Sequence, residues 1–257
     1  MAVATLTSTL VSGTVATWAG VTRVTASPDG VQAVELPSWR DGQPDPPGAP
    51  EITVERGDPS DPSHPSHPAA TRHLRHALAE LADYFAGARQ EFTVALDPNG
   101  TPFYRGVWDA VAAVPYGETR SYQEIAREVG APAAVRAVGG ANGANPVAPF
   151  VPCHRIVGSD GRLHGYGPGL PLKHRLLVME GAIPASADDT PAWLDRLAAR
   201  LGTDTFFLGS RATRVYCRPG CPVLARGWER PRRCFRAPGE PEAAGYRPCA
   251  VCRPDAA

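Results

Sequence analysis

Lysine is almost missing from this chain: of its 26 basic residues, 25 are arginine and one is lysine. Taken alone, that ratio reads as genome composition rather than chemistry. Long apolar runs are missing as well. No stretch of 18 or more apolar residues occurs in the 257, which excludes a membrane-spanning helix of the ordinary kind. The N-terminus has neither a basic region nor a continuous apolar stretch, so no secretory signal is expected. Cysteine is sparse, with six in all. Without an export signal those six point to metal binding or catalysis rather than disulfides, and to the cytoplasm. Net charge is absent too, because 26 acidic residues balance the 26 basic ones.

That balance is uneven along the chain. Residues 1–104 hold 6 basic and 12 acidic groups, whereas 203–257 hold 10 and 5. A basic rear behind an acidic front suggests a polyanionic partner on one side only. At 43% hydrophobic residues, the chain can bury a core in one large or two modest domains.

The front reads as β. Residues 11–26 and 31–36 are rich in Val and Thr, and Pro28-Asp29-Gly30 is a turn signal between them. Residues 37–68 hold nine prolines and a repeated Ser-His-Pro, the composition of an exposed loop or disordered insert. His64 and His67 lie in it, and solvated loop competes there with a metal role. Leu74, Leu78, Leu81 and Phe85 recur at helical spacing over 69–86. A strand is expected at 91–96, closed by Asp97-Pro98-Asn99-Gly100. Residues 102–113 return to helix, with Trp108 read as core.

Two short helices are expected next. Ser121 can cap the first, from Tyr122 to Val129, and Gly130 ends it. The second starts at Pro132 and is almost all Ala and Gly, with Arg136 alone projecting. A helix-turn-helix fits this pattern, as does an Ala-rich helical hairpin packed on a neighbour. Pro152-Cys153-His154-Arg155 follows in a loop context. A buried structural cysteine is the plain reading; a thiol that does chemistry needs a base, and the base needs an orienting acceptor, for which Glu180 is a candidate. The helix after Gly165-Tyr166-Gly167-Pro168-Gly169 carries Lys173, Leu176 and Leu177.

Residues 183–189 read as a linker, and Thr190-Pro191 starts a helix with Leu194, Leu197, Ala198 and Leu201 inward, ended by Gly202. Beyond it, Cys217, Cys221, Cys249 and Cys252 form two close pairs that supply four thiolates for one tetrahedral Zn²⁺. Such a metal contributes much of the folding free energy of so small a module. Cys234 has no close partner in sequence and reads as packing.

Taken together, Tyr116-Gly-Glu-Thr-Arg-Ser-Tyr122, Arg136-Ala-Val-Gly-Gly-Ala, Asn145-Pro146, Pro152-Cys-His-Arg155, Gly165-Tyr166 and Glu180 resemble the O6-alkylguanine-DNA alkyltransferase family over about residues 101–182. The segment from Phe206-Phe207 through Cys217-Arg-Pro-Gly-Cys221 to Gly245-Tyr-Arg-Pro-Cys249 is similar to the Ada-type zinc domain over about 190–255. The resemblance implies an α+β fold. A small N-terminal α+β domain (1–100, with the Pro-rich insert 37–68) precedes a helical alkyltransferase domain with its helix-turn-helix (101–182). The linker 183–189 then leads to a small four-cysteine zinc module (190–257).

The resemblance further implies irreversible transfer of an alkyl group from O6-alkylguanine, and from O4-alkylthymine, to Cys153 without a cofactor. His154 acts as base and Glu180 orients it, Tyr122 donates toward the flipped guanine, and Asn145 braces the turn carrying Cys153. Ser121, Tyr122, Ala134, Arg136 and Ala137 contact double-stranded DNA through the minor groove, with Arg136 filling the gap left by the base. In the zinc module Cys217 is implied as a second methyl acceptor, from a phosphotriester. A monomer with no membrane partner is expected. Gly167-Pro168 stands where the family commonly has a hydroxyl residue, so no side-chain contact to O6 is implied there. The 257 residues hold no transcription-regulator domain of the kind found beside this module elsewhere, which argues against a regulatory role. A binder lacking the cysteine, a Cys-His hydrolase that turns over, and a zinc-module transcription factor are the competing classes; only alkyl transfer leaves a methyl on the protein.

Overall fold

The computed structural model describes residues 10–40, 51–54, 67–203, 205–224 and 229–255. His64 lies outside them. The chain forms two compact units, each assembled from separated segments: 1–105, 144–151 and 167–172 in the first, and 106–143, 152–166 and 173–257 in the second.

In the first unit β1 (Val11–Thr17) and β2 (Gly20–Ala26) make an antiparallel hairpin that turns at Trp18-Ala19. Strand β3 (Val31–Glu35) pairs on the far side of β2, as the Val/Thr pattern predicts. The Pro-rich segment departs from expectation. Its Ile-Thr-Val triplet forms β4 (Ile52–Val54), which pairs with β1 and completes the sheet order β3-β2-β1-β4. Three β-branched residues suffice at a sheet edge, and Gly13 opposite is needed, since a Cβ there would meet the Thr53 carbonyl oxygen at 2.7 Å.

Helix α1 (Pro68–Phe85) lies on this sheet with Leu74, Leu78, Leu81 and Phe85 buried, as their spacing requires. Each such leucine contributes about 1.5–3 kcal/mol on burial. His67 is the N-cap residue of α1, and among the described residues it joins no metal-ligating cluster. The strand expected at 91–96 does not form. Only Leu96 bridges Val31, because the backbone amides of Thr93 and Val94 donate to the buried Glu80 carboxylate at 3.0–3.2 Å instead of to a neighbouring strand.

Helix α2 (Pro102–Ala112) leads into the second unit. There β5 (Arg120–Ser121) runs directly into α3 (Tyr122–Glu128), and α4 (Val135–Gly143) packs on α3. The second helix starts at Val135 rather than Pro132; residues 131–134 form a turn closed by the Ala134 amide on the Ala131 carbonyl at 2.8 Å. Trp108 is buried, and its indole donates to the Ala141 carbonyl at 2.8 Å, tying α2 to α4. A single 3₁₀ turn, Cys153–Arg155, continues into β6 (Ile156–Val157), which pairs in parallel with β5. Helix α5 (Leu170–Met179) ends just before Glu180.

Helix α6 (Thr190–Leu201) stops at Gly202, which adopts φ 68°. It buries Trp193 and Leu197, with Leu194, Ala198 and Leu201 partly covered. β7 (Phe207–Gly209), β8 (Val215–Cys217), β9 (Arg233–Phe235), the short helix α7 (Glu240–Ala243) and β10 (Arg247–Pro248) follow, with sheet order β10-β8-β7-β9. No helix among the described residues is long and apolar enough to cross a membrane.

Candidate active site and metal centre

Two short elements meeting in parallel decide the geometry. The β5–β6 pair aligns Arg120 with Ile156 and Ser121 with Val157, so the helix-turn-helix entry and the Cys153 turn share one scaffold. Cys153 is buried, and its carbonyl accepts from Asn142 Nδ2 at 3.3 Å. His154 and Arg155 are buried beside it, and both reach Glu180. His154 Nε2 lies 2.8 Å from Glu180 Oε1. Arg155 donates to both carboxylate oxygens, from Nε to Oε2 at 2.8 Å and from Nη2 to Oε1 at 2.9 Å, and its Nη1 donates to the Val114 carbonyl.

These contacts set the protonation states. Burial by itself would push the Glu180 carboxyl up, but His154 and the Arg155 guanidinium beside it hold it at about 2. Arg155 is the permanent cation of the two, so the carboxylate stays ionised whatever the histidine does. Burial pushes His154 below its ordinary value, against the pull of Glu180, which keeps the ring neutral. An ionised carboxylate only accepts hydrogen bonds. Nε2 therefore carries the proton and Nδ1, also buried, carries the lone pair of a base.

Tyr122 opens α3, half-buried, with its hydroxyl 3.4 Å from the His164 carbonyl. Burial, then the neighbouring Cys153, push its phenol up, so it is a proton donor at neutral pH. Ser121 caps α3 in a capping box with Glu124: its Oγ accepts from the Glu124 amide at 3.2 Å, and its own amide donates to Glu124 Oε2 at 2.7 Å. Arg136 and Ala137 are exposed in the first turn of α4, and Ala134 lies just before it, half-buried. Asn145 belongs to the first unit, where it donates to the Val151 carbonyl at 2.8 Å and accepts from the Val147 amide. The carbonyl of Cys153 itself is held by Asn142, which the sequence reading passed over.

In the C-terminal segment the sulfurs of Cys217, Cys221, Cys249 and Cys252 all lie within 4.8 Å of one another. Zn–S bonds of about 2.3 Å place four thiolates about 3.8 Å apart, so this set closes on zinc with small shifts. The donor chemistry fits as well. Burial and the neighbouring Cys249 and Cys221 sulfurs push the Cys217 thiol far up, whereas backbone N–H groups of Cys252 and Val251 hold Cys249 at about 7 despite burial. Four thiolates that crowded need a cation among them. Cys234 stands apart on β9, and burial raises its thiol to about 11, which suits packing.

The same chain segments match known proteins. The profile described as "6-O-methylguanine DNA methyltransferase, DNA binding domain" matches residues 102–182, and "Metal binding domain of Ada" matches 195–255. A methylated-DNA–protein-cysteine methyltransferase of Methanosarcina acetivorans is 52% identical over 106 residues, which cover 41% of this chain and 68% of that protein. The chain belongs to the methylated-DNA–protein-cysteine methyltransferase family.

The Mycolicibacterium paratuberculosis member is 56% identical over 104 residues, or 40% of this chain; the match spans 63% of that relative's length, a little under two thirds. The solved Mycobacterium tuberculosis OGT in complex with DNA is 38% identical, with a TM-score of 0.50, covering 65% of this chain and 90% of that one. The four-cysteine set, lying inside the Ada-type match, is the zinc-binding site of this family member.

Two polar residues of the centre escaped the sequence reading as site residues. Arg155 stands in the sequence only as the end of the Pro-Cys-His-Arg motif, yet it clamps Glu180. Lys173 is fully buried, with Nζ donating to the carbonyls of Ile156 at 2.6 Å and His164 at 2.7 Å. Burial lowers its ammonium to about 8, and Cys153, within electrostatic reach, pulls the other way. Being the single lysine was the available signal. Gly167 belongs to the first unit, and a Cβ there would meet open space.

Proposed function

We propose that this chain is a single-use DNA repair protein that moves an alkyl group from O6-alkylguanine in double-stranded DNA to Cys153. The observation that carries this reading is the buried His154–Glu180–Arg155 cluster adjoining Cys153. The neutral ring accepts the thiol proton at Nδ1, directly or through one water, and Glu180 stabilises the imidazolium that results. The Cys153 sulfur attacks the alkyl carbon, the S–C bond forms as the C–O6 bond breaks, and the electron pair passes into the purine ring. Tyr122, held protonated, donates toward the base as that charge develops. The product thioether has no good leaving group, so each chain acts once.

Exposed Arg136, on a helix of small residues that lets the backbone come close to the minor groove, fills the stack while the base is flipped. Asn145 steadies the turn ahead of Cys153, and Ser121, Ala134 and Ala137 complete the DNA contact. The functional division is 1–100, 101–182 and 190–257, the protein acts as a monomer in the cytoplasm, and O4-alkylthymine is a further substrate. Intact-mass measurement after incubation with DNA carrying O6-methylguanine tests the reading: one methyl per chain is expected, mapped to Cys153, with no second turnover. An unchanged mass excludes it.

A second reaction is favoured by the all-sulfur set. Cys217, Cys221, Cys249 and Cys252 would hold the zinc as four thiolates, and the excess negative charge of such a set would make a ligand thiolate nucleophilic without a base. Cys217 is first in that set, in a segment of net basic charge, and would take the methyl of a phosphotriester, the S–C bond forming as the C–O bond breaks and the phosphodiester anion leaves.

A further inference from the structure

Arginines of the C-terminal segment end on the elements that hold the Cys153 centre. Arg211 sits in the turn between β7 and β8, and β8 ends at the zinc ligand Cys217, so the metal-binding hairpin fixes its base. Its side chain is buried; Nη1 pairs with the Glu124 carboxylate, and Nη2 donates to the Thr119 carbonyl at 2.6 Å. Glu124 is the residue that closes the capping box of α3, the helix opened by Tyr122. Arg233 approaches the same carboxylate at 3.6 Å, and Arg236 reaches Glu118 at 3.9 Å.

A second clamp comes from α6. Arg200 donates from Nη1 to the Glu180 carbonyl at 3.1 Å and from Nη2 to the Gly117 carbonyl at 3.0 Å. Gly117 makes room for it: the residue adopts φ +73°, and a Cβ there would lie 1.8 Å from Arg200 Nη1. Packing alone needs apolar contact. These guanidinium groups instead spend their donors on the backbone and carboxylate that place Tyr122 and Glu180.

We infer that the C-terminal segment is a positioning element for the Cys153 centre, with Arg211 holding α3 through Glu124 and Thr119 and Arg200 holding Glu180. The inference rests on the alkyl-transfer reading of Cys153. Bound zinc, by organising the β7–β8 hairpin, then tightens α3.

The test uses the full chain as wild type, Arg211→Ala, Arg211→Lys and Arg200→Ala. Single-turnover methyl uptake from saturating duplex DNA is measured beside hydrogen exchange of residues 118–128 and thermal unfolding. Arg211→Ala is expected to slow uptake about tenfold, within the coupling range of residues sharing one hydrogen-bond network, and to speed exchange in α3. Lysine restores only part, because an ammonium lacks the planar fork with which the guanidinium spans both acceptors. Stripping zinc speeds α3 exchange in wild type but adds nothing in Arg211→Ala. Arg200→Ala slows uptake and shifts the pH–rate profile through His154. Wild-type uptake rates and α3 exchange in both alanine variants overturn the inference, as does a rate loss explained by the unfolded fraction alone. If wild type itself takes no methyl at Cys153, the alkyl-transfer reading fails, and α3 exchange still decides whether the clamps position that helix.

Discussion

Replacing Glu180 by glutamine keeps the shape of the side chain and removes its charge. The carboxyl is held at about 2 against an ordinary 4.5, a preference for the ionised form of about 3 kcal/mol at 1.36 kcal/mol per unit. The variant also leaves Arg155 buried without its counter-charge, and breaking a buried pair from one side costs about 3–5 kcal/mol. Destabilisation of that order is expected at pH 7.

The pH dependence has a definite sign. A carboxylate with a depressed folded value stabilises fully above about 4.5, and that stability is lost as pH falls from 4.5 toward 2. Wild type and Glu180→Gln should therefore differ by a constant amount above pH 6 and converge in acid. The variant keeps a residual acid loss from Glu124, which Arg211 and Ser121 also hold at about 2 despite burial. Methyl uptake should fall about a hundredfold or more, the usual worth of a positioned general base, because the imidazolium loses its counter-charge. Guanidinium unfolding at pH 3 to 8 and single-turnover uptake are the assays. A stability gap that persists unchanged at pH 3, or uptake at the wild-type rate, refutes the reasoning.

Cys153→Ala should abolish uptake from O6-methylguanine while duplex binding stays near wild type in a gel-shift titration; methyl recovered on the variant would exclude Cys153 as the acceptor. Arg136→Ala should lose more activity on duplex DNA than on free alkylguanine base, since flipping costs a few kcal/mol that a free base never meets; equal losses would remove Arg136 from that role. Lys173→Met should slow uptake and erase any inflection near pH 8, where the wild-type ammonium discharges and ceases to favour the Cys153 thiolate; an inflection surviving in the variant belongs to another group. DNA carrying both O6-methylguanine and methylphosphotriesters should place methyls on Cys153 and Cys217, read by peptide mass; Cys153 alone, with zinc retained, would leave the zinc site a structural part.

How much could be read in advance depended on the range of the interaction. The leucines of α1 were legible because a 3.6-residue period is itself the local record of a buried face. The zinc set was legible because the spacing of its two pairs already constrains the site. By contrast, Phe92 to Leu96 have strand chemistry, and only the buried carboxylate of Glu80 on another element claims the Thr93 and Val94 amides. β4 hid among prolines because composition is averaged over a segment and pairing is not. At the centre, Cys153 and His154 could be named from adjacency, but the Arg155–Glu180 clamp spans 25 residues and needs the fold. Arg200 and Arg211 left no local trace, since what they touch is backbone and one carboxylate supplied by distant segments.

The first unit is stitched from pieces the ribosome makes far apart. The Val34 amide donates to the Pro146 carbonyl, the Trp39 amide to the Pro168 carbonyl, and Phe92 packs against Phe150 at 4.7 Å between ring centres. A nascent chain that has emerged only to residue 105 thus holds a sheet and a helix whose edges still await their partners, and the unit closes only after about Leu172 has been added. Cutting the gene near residue 100, where the sequence alone places a boundary, should yield a fragment with exposed apolar surface and a tendency to aggregate. Synthesis past residue 172, rather than the end of the β-rich front, sets the moment at which the first unit can close.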